Sequence, residues 1–493
     1  MSTRPAQKPD TERRTLSDYL ALTNDYLSRQ PGFDYLMIRI IVLFLVGLGV
    51  VMVFSSSMTS SVSEGGTVFS EALRQTMMVA VGLVAFWTAL KVPLRLVRRA
   101  APWLMWVTLA LLIVVLIPGI GTGRESVGSQ SWIAIGSFSL QPSELAKVVI
   151  AIWGACHLAG QRHVETTLRS PFVQFIAVAV LWFVLIVAQG DLGMAMSFAI
   201  VVGFTLIFAG IQWKFIVVAL VMVVAGLATV FISGGFRSDR FHTYFDALTG
   251  NFSNTRSTAF QSHQGFLSLA DGSFAGVGLG QSRAKWFYLP EAKNDFIFAV
   301  IGEELGLWGG VLVILLFAGL AYFGIRTARR AQNQFQALLA AALTMSVVSQ
   351  AFINIGYVIG LLPVTGIQLP MISAGGTSAI ITIGSMGLLA SVARHEPEAV
   401  SAMQSYGRPL FDRFLFLGEP APEAEESLRP GMRIRPQTRR DAPRATPVTA
   451  RSSATRRPGS VGGPRNQAAT RSQPASRSRR SDRAEYIQND RRR

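Results

Sequence analysis

Leu289-Pro290-Glu291-Ala292-Lys293-Asn294-Asp295-Phe296-Ile297-Phe298 is the point where a long polar connection, residues 234–294, runs into an apolar stretch, residues 297–322. The stretch is long enough to cross a bilayer as a helix. Asp295 therefore stands at a membrane boundary, where an acid can reach a lipid-borne molecule and still have access to water. The same helix carries Glu303 and Glu304, each costing roughly 2.5–3.5 kcal/mol at a bilayer centre if unpaired. So many acids in one apolar helix point to a site rather than to anchoring alone.

Outward from this segment the whole chain reads as a membrane protein. Half of its 493 residues are hydrophobic, 15% are charged, and the mean hydropathy is +0.37. Apolar runs recur near 35–56, 73–92, 102–118, 143–160, 172–188, 191–210, 214–233, 296–323, 336–360 and 378–393. Each is long enough to cross the hydrocarbon core. The expected fold is an all-α polytopic membrane protein with about ten transmembrane helices, a long extracellular loop and disordered cytoplasmic tails. The expected division is 1–34 as a cytoplasmic segment, 35–400 as the transmembrane domain and 401–493 as an Arg-rich tail.

Orientation follows from short basic loops: Lys91, Arg95, Arg98 and Arg99; Arg162 and Arg169; Arg326, Arg329 and Arg330. All three fall on one side, which the positive-inside rule makes cytoplasmic, and an even span count puts both termini there. The first apolar run starts too late for a cleavable signal peptide. Residues 16–27 have a helical apolar face suited to the inner membrane surface, or form a solvated linker.

The net charge of +17 suggests nucleic acid until its position is considered. Most of the excess lies beyond Glu426, in a tail of Arg, Ser, Pro and Ala without apolar clusters, a composition expected to be disordered. Anionic membrane lipids or cytoplasmic partner proteins fit that tail; nucleic-acid binding is not expected. Cys156 is the single cysteine, so no intrachain disulfide forms. The five histidines lack metal-ligand spacing.

Other polar groups gather near span ends. Pro142 suits a first helical turn, and Glu144 and Lys147, three apart, share a face where they can pair or floor a cavity. Asp191, in Gln189-Gly190-Asp191-Leu192-Gly193, can cap the next helix or line a cavity. Asn294-Asp295 likewise can cap the helix that follows it. The loop from Gly276 to Ser282 lacks the strand and helix of a dinucleotide site. It reads as a flexible lid, with Arg283 and Lys285 available to a lipid pyrophosphate. Residues 360–377 are apolar but broken by Pro363, Pro370 and several glycines. Such backbone at membrane depth must be buried in protein or line a wet cavity, which makes it a re-entrant segment beside the site.

Taken together, Gln141-Pro142-Ser143-Glu144-Leu145-Ala146-Lys147, Gln189 to Gly193, Leu289 to Gly306 and Gly360 to Gly376 resemble the SEDS family (shape, elongation, division and sporulation). The resemblance covers roughly residues 35–400 and is nearest to the division branch, with the rod-elongation branch as competitor. Gly190, Ser131 and Ala374 depart from the proline, arginine and tyrosine usual in the family. The resemblance implies a glycosyltransferase that polymerises lipid II into glycan at the outer face of the cytoplasmic membrane. Asp295 then matches the essential acid, while Glu144, Lys147, Asp191 and Ser373 match polar positions of the cavity. Lys147, Lys285, Arg283 or a divalent cation (Mg or Mn) would meet the pyrophosphate. The implied partners are lipid II, the nascent glycan, a class B penicillin-binding protein and cytoplasmic division proteins at the septum. A lipid II flippase and a division scaffold are the rival readings.

Overall fold

The computed structural model describes residues 30–420, apart from 64–66, 68, 125–127, 137, 162–168, most of 212–257, 284, 286–288 and 290–291. Helices α1 (Phe33–Ser63), α2 (Ser70–Lys91) and α3 (Leu94–Val114) come first. A small sheet follows, of β1 (Gly121–Thr122), β2 (Trp132–Ile135) and β3 (Phe138–Leu140). Next are α4 (Pro142–Leu158), α5 (Pro171–Ala188), α6 (Leu192–Phe208) and α7 (Thr258–Gly272). The last are α8 (Ile297–Arg330), α9 (Gln334–Val358), α10 (Thr377–Arg394) and two short helices, α11 (Pro397–Tyr406) and α12 (Leu410–Phe414).

Local chemistry sets several boundaries. Pro142 and Pro171 stand in first turns, where a missing N–H costs nothing. The side chain of Asn333 accepts from the Gln336 amide at 3.0 Å and caps α9. Among the described residues, seven helices are long and apolar enough to cross a membrane: α1, α2, α3, α5, α8, α9 and α10. The runs at 143–160 and 191–210 form α4 and α6, of 17 residues each. The run at 214–233 lies outside the described residues, as do residues 16–27. The described chain thus stops short of the ten expected spans.

α9 is the central helix, with 78% of its apolar window buried against 28% for α3 and α5. The peripheral helices turn Phe44, Trp103, Trp106 and Val184 outward, as spans facing lipid do. α2 and α10 form the most extensive helix pair; Gly82 meets Ile383 and Gly384 meets Ala85 across it.

Three features were not anticipated. The first is the sheet, antiparallel in the order β1-β2-β3, with Ile135 paired to Phe138 across a tight turn at Gly136. Its strands are too short to compete with the helical signal around them. The second is α7, a helix inside what read as a polar loop, packed on α8. The third is the onset of the tail. Within residues 397–414, expected to be disordered from 401, lie α11 and α12, whose buried residues include Ala399, Val400, Met403 and Asp412.

The bundle has two chemically distinct ends. Asp34 at the start of α1 meets Arg326 at the end of α8 at 2.9 Å, and this end also holds Lys91, Arg95 and Arg394. Ser55, near the other end of α1, meets Glu304 near the start of α8 at 2.6 Å. That second end carries the sheet, the starts of α4 and α6, and the irregular segment between α9 and α10.

Candidate active site

The segment leading into α8 is pinned by its main chain. The Lys293 carbonyl accepts from the Ala374 amide at 3.0 Å. The Asn294 carbonyl accepts from the Ser373 hydroxyl at 2.7 Å. The Asp295 carbonyl accepts from Asn354 Nδ2 at 2.8 Å and lies 2.9 Å from the Tyr357 hydroxyl. Three consecutive carbonyls are thus held by α9 and by the segment after it, each bond contributing about 0.5–1.5 kcal/mol. The N-cap of α8 is Phe296, without a side-chain cap bond, so Asp295 stands one residue before the cap and is half-buried.

The segment at 359–376 satisfies its own backbone in the same network. Ile367 and Gln368 offer carbonyls to Asn354 and to Gln350 Nε2. The Leu369 amide donates to Ser373 Oγ, and the Ser373 carbonyl accepts from Gln75 Nε2. Ile367, Leu369, Met371 and Ile372 are buried. Gly49 of α1 makes the fit possible, since a Cβ there would lie 2.5 Å from the Met371 carbonyl oxygen. This is non-helical backbone enclosed by protein, the condition for such a chain at membrane depth.

Beside the pinned segment opens a cavity of about 480 Å³. Glu71, Arg74 and Gln75 of α2 form one wall; Trp132 and Ser139 of the sheet, with Lys293, Asn294 and Gln368, form the others. Lys293 Nζ lies 3.2 Å from Glu71 Oε1, with both side chains about a quarter exposed. Thr377 Oγ donates to the Ser139 carbonyl at 2.6 Å, joining the sheet to the start of α10. The cavity therefore presents one cation paired to a carboxylate and a second, Arg74, on an exposed position.

Glu144, Lys147 and Asp191 come together in a buried polar layer at this end rather than on the cavity wall. Lys147 meets Glu144 at 2.9 Å and also donates to Gln350 Oε1. Through Gln350 the pair reaches Gln368, which does line the cavity. Asp191 caps α6 by accepting from the Met194 amide and takes a second bond from Gln141 Nε2, both at 3.0 Å. Asp191 therefore caps its helix and, through its second oxygen, holds Gln141. Ser373 is adjacent to the acid through Asn294.

Arg283 and Lys285 are placed elsewhere. Glu303 accepts from Ser282 Oγ at 2.7 Å and from the Arg283 amide at 2.6 Å. Glu304 accepts from Ser55 Oγ, and Lys285 Nζ lies 3.7 Å away. The amides of Val277 and Gly278 donate to the carbonyls of Glu303 and Glu304. The glycine loop is therefore bonded to α8 and is not a free lid. Its docking point is a break in α8 at Gly306 (φ 68°, ψ −164°), a conformation open to glycine.

Sequence reasoning missed Glu71, Arg74 and Lys293 on the cavity wall, and Asn354 and Tyr357 behind the acid. The signals were present: charges three apart opening span two, and an Asn and a Tyr three apart inside span nine. Among the described residues no group of three or more His, Cys, Asp or Glu is placed to hold a metal ion.

A family model described as "Cell cycle protein", joining FtsW, RodA and SpoVE, matches residues 35–398. A probable peptidoglycan glycosyltransferase FtsW of Mycobacterium tuberculosis is 41% identical over 434 residues, covering 87% of this chain and 82% of that one. Stage V sporulation protein E of Bacillus subtilis is 35% identical over 363 residues, covering 73% and 97%. Among solved structures, a peptidoglycan synthase complex that coordinates polymerization and crosslinking superposes with a TM-score of 0.58 at 23% identity, covering 72% of this chain and 97% of that one. The Thermus thermophilus rod shape determining protein RodA gives 0.53 at 24%, covering 73% and 96%. On its spans, its pinned acid and a match across most of its length, this multi-pass membrane protein belongs to the FtsW/RodA/SpoVE family, the SEDS proteins.

Proposed function

We propose that the chain is a peptidoglycan glycosyltransferase that polymerises lipid II at the outer face of the cytoplasmic membrane during cell division. The observation that carries this reading is the acid itself. Its segment is held through three consecutive carbonyls, and the two residues before it, Lys293 and Asn294, line a polar cavity at the end of the bundle away from the basic loops. The basic end is then cytoplasmic, with both termini on that side.

In the reaction, Asp295 acts as general base. It takes the proton of the 4-hydroxyl on the acceptor's N-acetylglucosamine. That oxygen forms a bond to the anomeric carbon of N-acetylmuramic acid on the growing chain. The bond from that carbon to the pyrophosphate breaks with inversion, and undecaprenyl pyrophosphate leaves with the electron pair. Pinning of its main chain fixes where Asp295 stands, and a fixed base meeting two bound sugars gains from proximity. Arg74 and Lys293 face the cavity and would meet the pyrophosphate charge. Lys147 and Lys285 are engaged with Glu144 and Glu304. A divalent cation, if used, would rest on pyrophosphate oxygens, water and one or two carboxylates, as Mg²⁺ commonly does. The single-span class B penicillin-binding protein is the proposed cross-linking partner, and the Arg-rich tail the contact for cytoplasmic division proteins at the septum.

The test is polymerisation of lipid II by purified protein with a penicillin-binding partner that has no polymerase domain. Wild type should give polymer, and folded Asp295→Asn should lose at least about 100-fold in rate, the range expected for a general base. Equal rates would remove Asp295 as base. Lipid II movement across liposomes with no polymer from either protein would replace the enzyme by a transporter.

A further inference from the structure

The segment after α10 does more than end the bundle. Asp412 is fully buried, accepting from the Tyr35 hydroxyl at 2.8 Å and Arg394 Nε at 2.7 Å, with Arg39 at 3.6 Å. The Leu415 carbonyl accepts from Trp87 Nε1 at 3.0 Å, and the Gly418 carbonyl from Arg394. Arg39 lies 4.1 Å over the rings of both Tyr35 and Phe411. One face of residues 406–417 is thus clamped to α1, α2 and α10.

The opposite face is apolar. Leu410, Phe414 and Phe416 are 79–81% exposed, and Tyr406 is 91% exposed. So much exposed apolar surface in so short a stretch marks an interaction site. The clamp fixes its height. Tyr35 and Arg39 lie in the first two turns of α1, and Trp87 one turn from the end of α2. On those same turns Leu36, Ile40 and Val84 face outward and exposed, as lipid-facing positions of spans do. The apolar face therefore sits level with the lipid, not below it. Positive charge lies within and near it: Arg408 and Arg413 in the segment, Lys91 at the end of α2 and Arg95 in the first turn of α3, all exposed. An apolar face bordered by arginine at the bilayer edge is the composition of an interfacial segment. The charge suits anionic headgroups.

We propose that residues 406–417 form an interfacial foot. Leu410, Phe414 and Phe416 enter the acyl boundary of the leaflet at the basic end, Arg408 and Arg413 meet lipid phosphate, and Asp412 ties the foot to the helix ends.

The test uses full-length protein in nanodiscs containing phosphatidylglycerol. In a Cys156→Ser background, Leu410→Cys, Phe414→Cys and Phe416→Cys are spin-labelled one at a time, with Ile40→Cys as lipid-facing reference. Relaxation by dissolved oxygen should exceed that by a water-soluble nickel chelate at all three positions, as at Ile40. Dominance of nickel at all three would overturn the proposal. Shielding from both reagents would also overturn it, in favour of a protein surface covering the face. Unmodified protein in discs carrying a photoreactive acyl chain gives an independent reading. Adducts are expected on the peptide containing residues 410–416; adducts on α1 without any there would sink the idea.

Discussion

The two ends of the bundle satisfy their acids with different partners. At the basic end, acids meet arginines: Asp34 with Arg326 at 2.9 Å and Arg330 at 3.8 Å, and Asp412 with Arg394 at 2.7 Å. At the cavity end the cations are lysines, Lys147 on Glu144 at 2.9 Å, Lys293 on Glu71 at 3.2 Å and Lys285 at 3.7 Å from Glu304, and neutral donors share the work. Glu303 and Glu304 take hydroxyls and amides, and the Asp295 segment is held through carbonyls by amide and hydroxyl groups. Ion pairing fixes geometry by cancelling charge. Bonds to main-chain carbonyls fix where a residue stands and use none of its side-chain oxygens. The basic end is built as a clamp, and the cavity end as a held backbone beside a polar cavity.

Three substitutions can break or sharpen that contrast. Asp412→Ala strands Arg39 and Arg394 in a buried site, and removing one partner of a buried pair costs about 3–5 kcal/mol. Thermal unfolding in detergent should show this loss, while kcat of the remaining folded fraction stays near wild type. A large fall in kcat without loss of stability would erase the distinction between the ends.

Tyr357→Phe is the converse case. Its hydroxyl accepts from Asn354 and lies within reach of the Asp295 and Ile367 carbonyls. Loss of such a bond costs stability only about 0.5–1.5 kcal/mol. The rate should fall about 10-fold, since each 1.36 kcal/mol of barrier is tenfold. The fall should appear in kcat with KM little changed, because the residue positions the acid without touching substrate. A change confined to KM would point to substrate contact instead.

Glu396 gives the smallest effect and a pH signature. Burial, and after it the neighbouring Asp34 carboxylate, pushes its carboxyl up to about 8, against the opposing pull of Arg330 and Arg326. The folded protein therefore holds a proton that the unfolded chain releases near 4.5. Its contribution to stability is greatest below the unfolded value, declines as pH rises from there to about 8, and is flat beyond. The slope can reach on the order of 1 kcal/mol per pH unit. Glu396→Gln should remove that decline, so the variant should unfold later than wild type at pH 8–9. Identical pH profiles would show that Arg330 keeps Glu396 ionised.

Much of the fold was legible because spans announce themselves by length and hydropathy, and because prolines and glycines mark the irregular segment before α10. The acid was legible as a charge at a span boundary. Its setting was not, since it depends on residues far apart in sequence. Lys293 meets Glu71 more than two hundred positions away, and Asp295 rests on Asn354 and Tyr357. Arg283 and Lys285 show the same limit from the other side. Their place beside a glycine loop read as a flexible lid suggested the pyrophosphate, but the loop folds back onto Glu303, Glu304 and the break at Gly306. Asp191 could be read both as a cap and as a site residue because it has two oxygens, one for each bond.

The break at Gly306 also makes α8 two mechanical parts instead of one. The rod that follows the acid, residues 297–305, is only about 13 Å long at 1.5 Å per residue. Its attitude is set by the loop docked on Glu303 and Glu304, not by the longer rod that runs to Arg330. Grafting is therefore best done below the joint. A chimera that exchanges residues 307–330 for those of a relative should keep the native alignment of its reacting end, whereas a crossover between 297 and 305 should not.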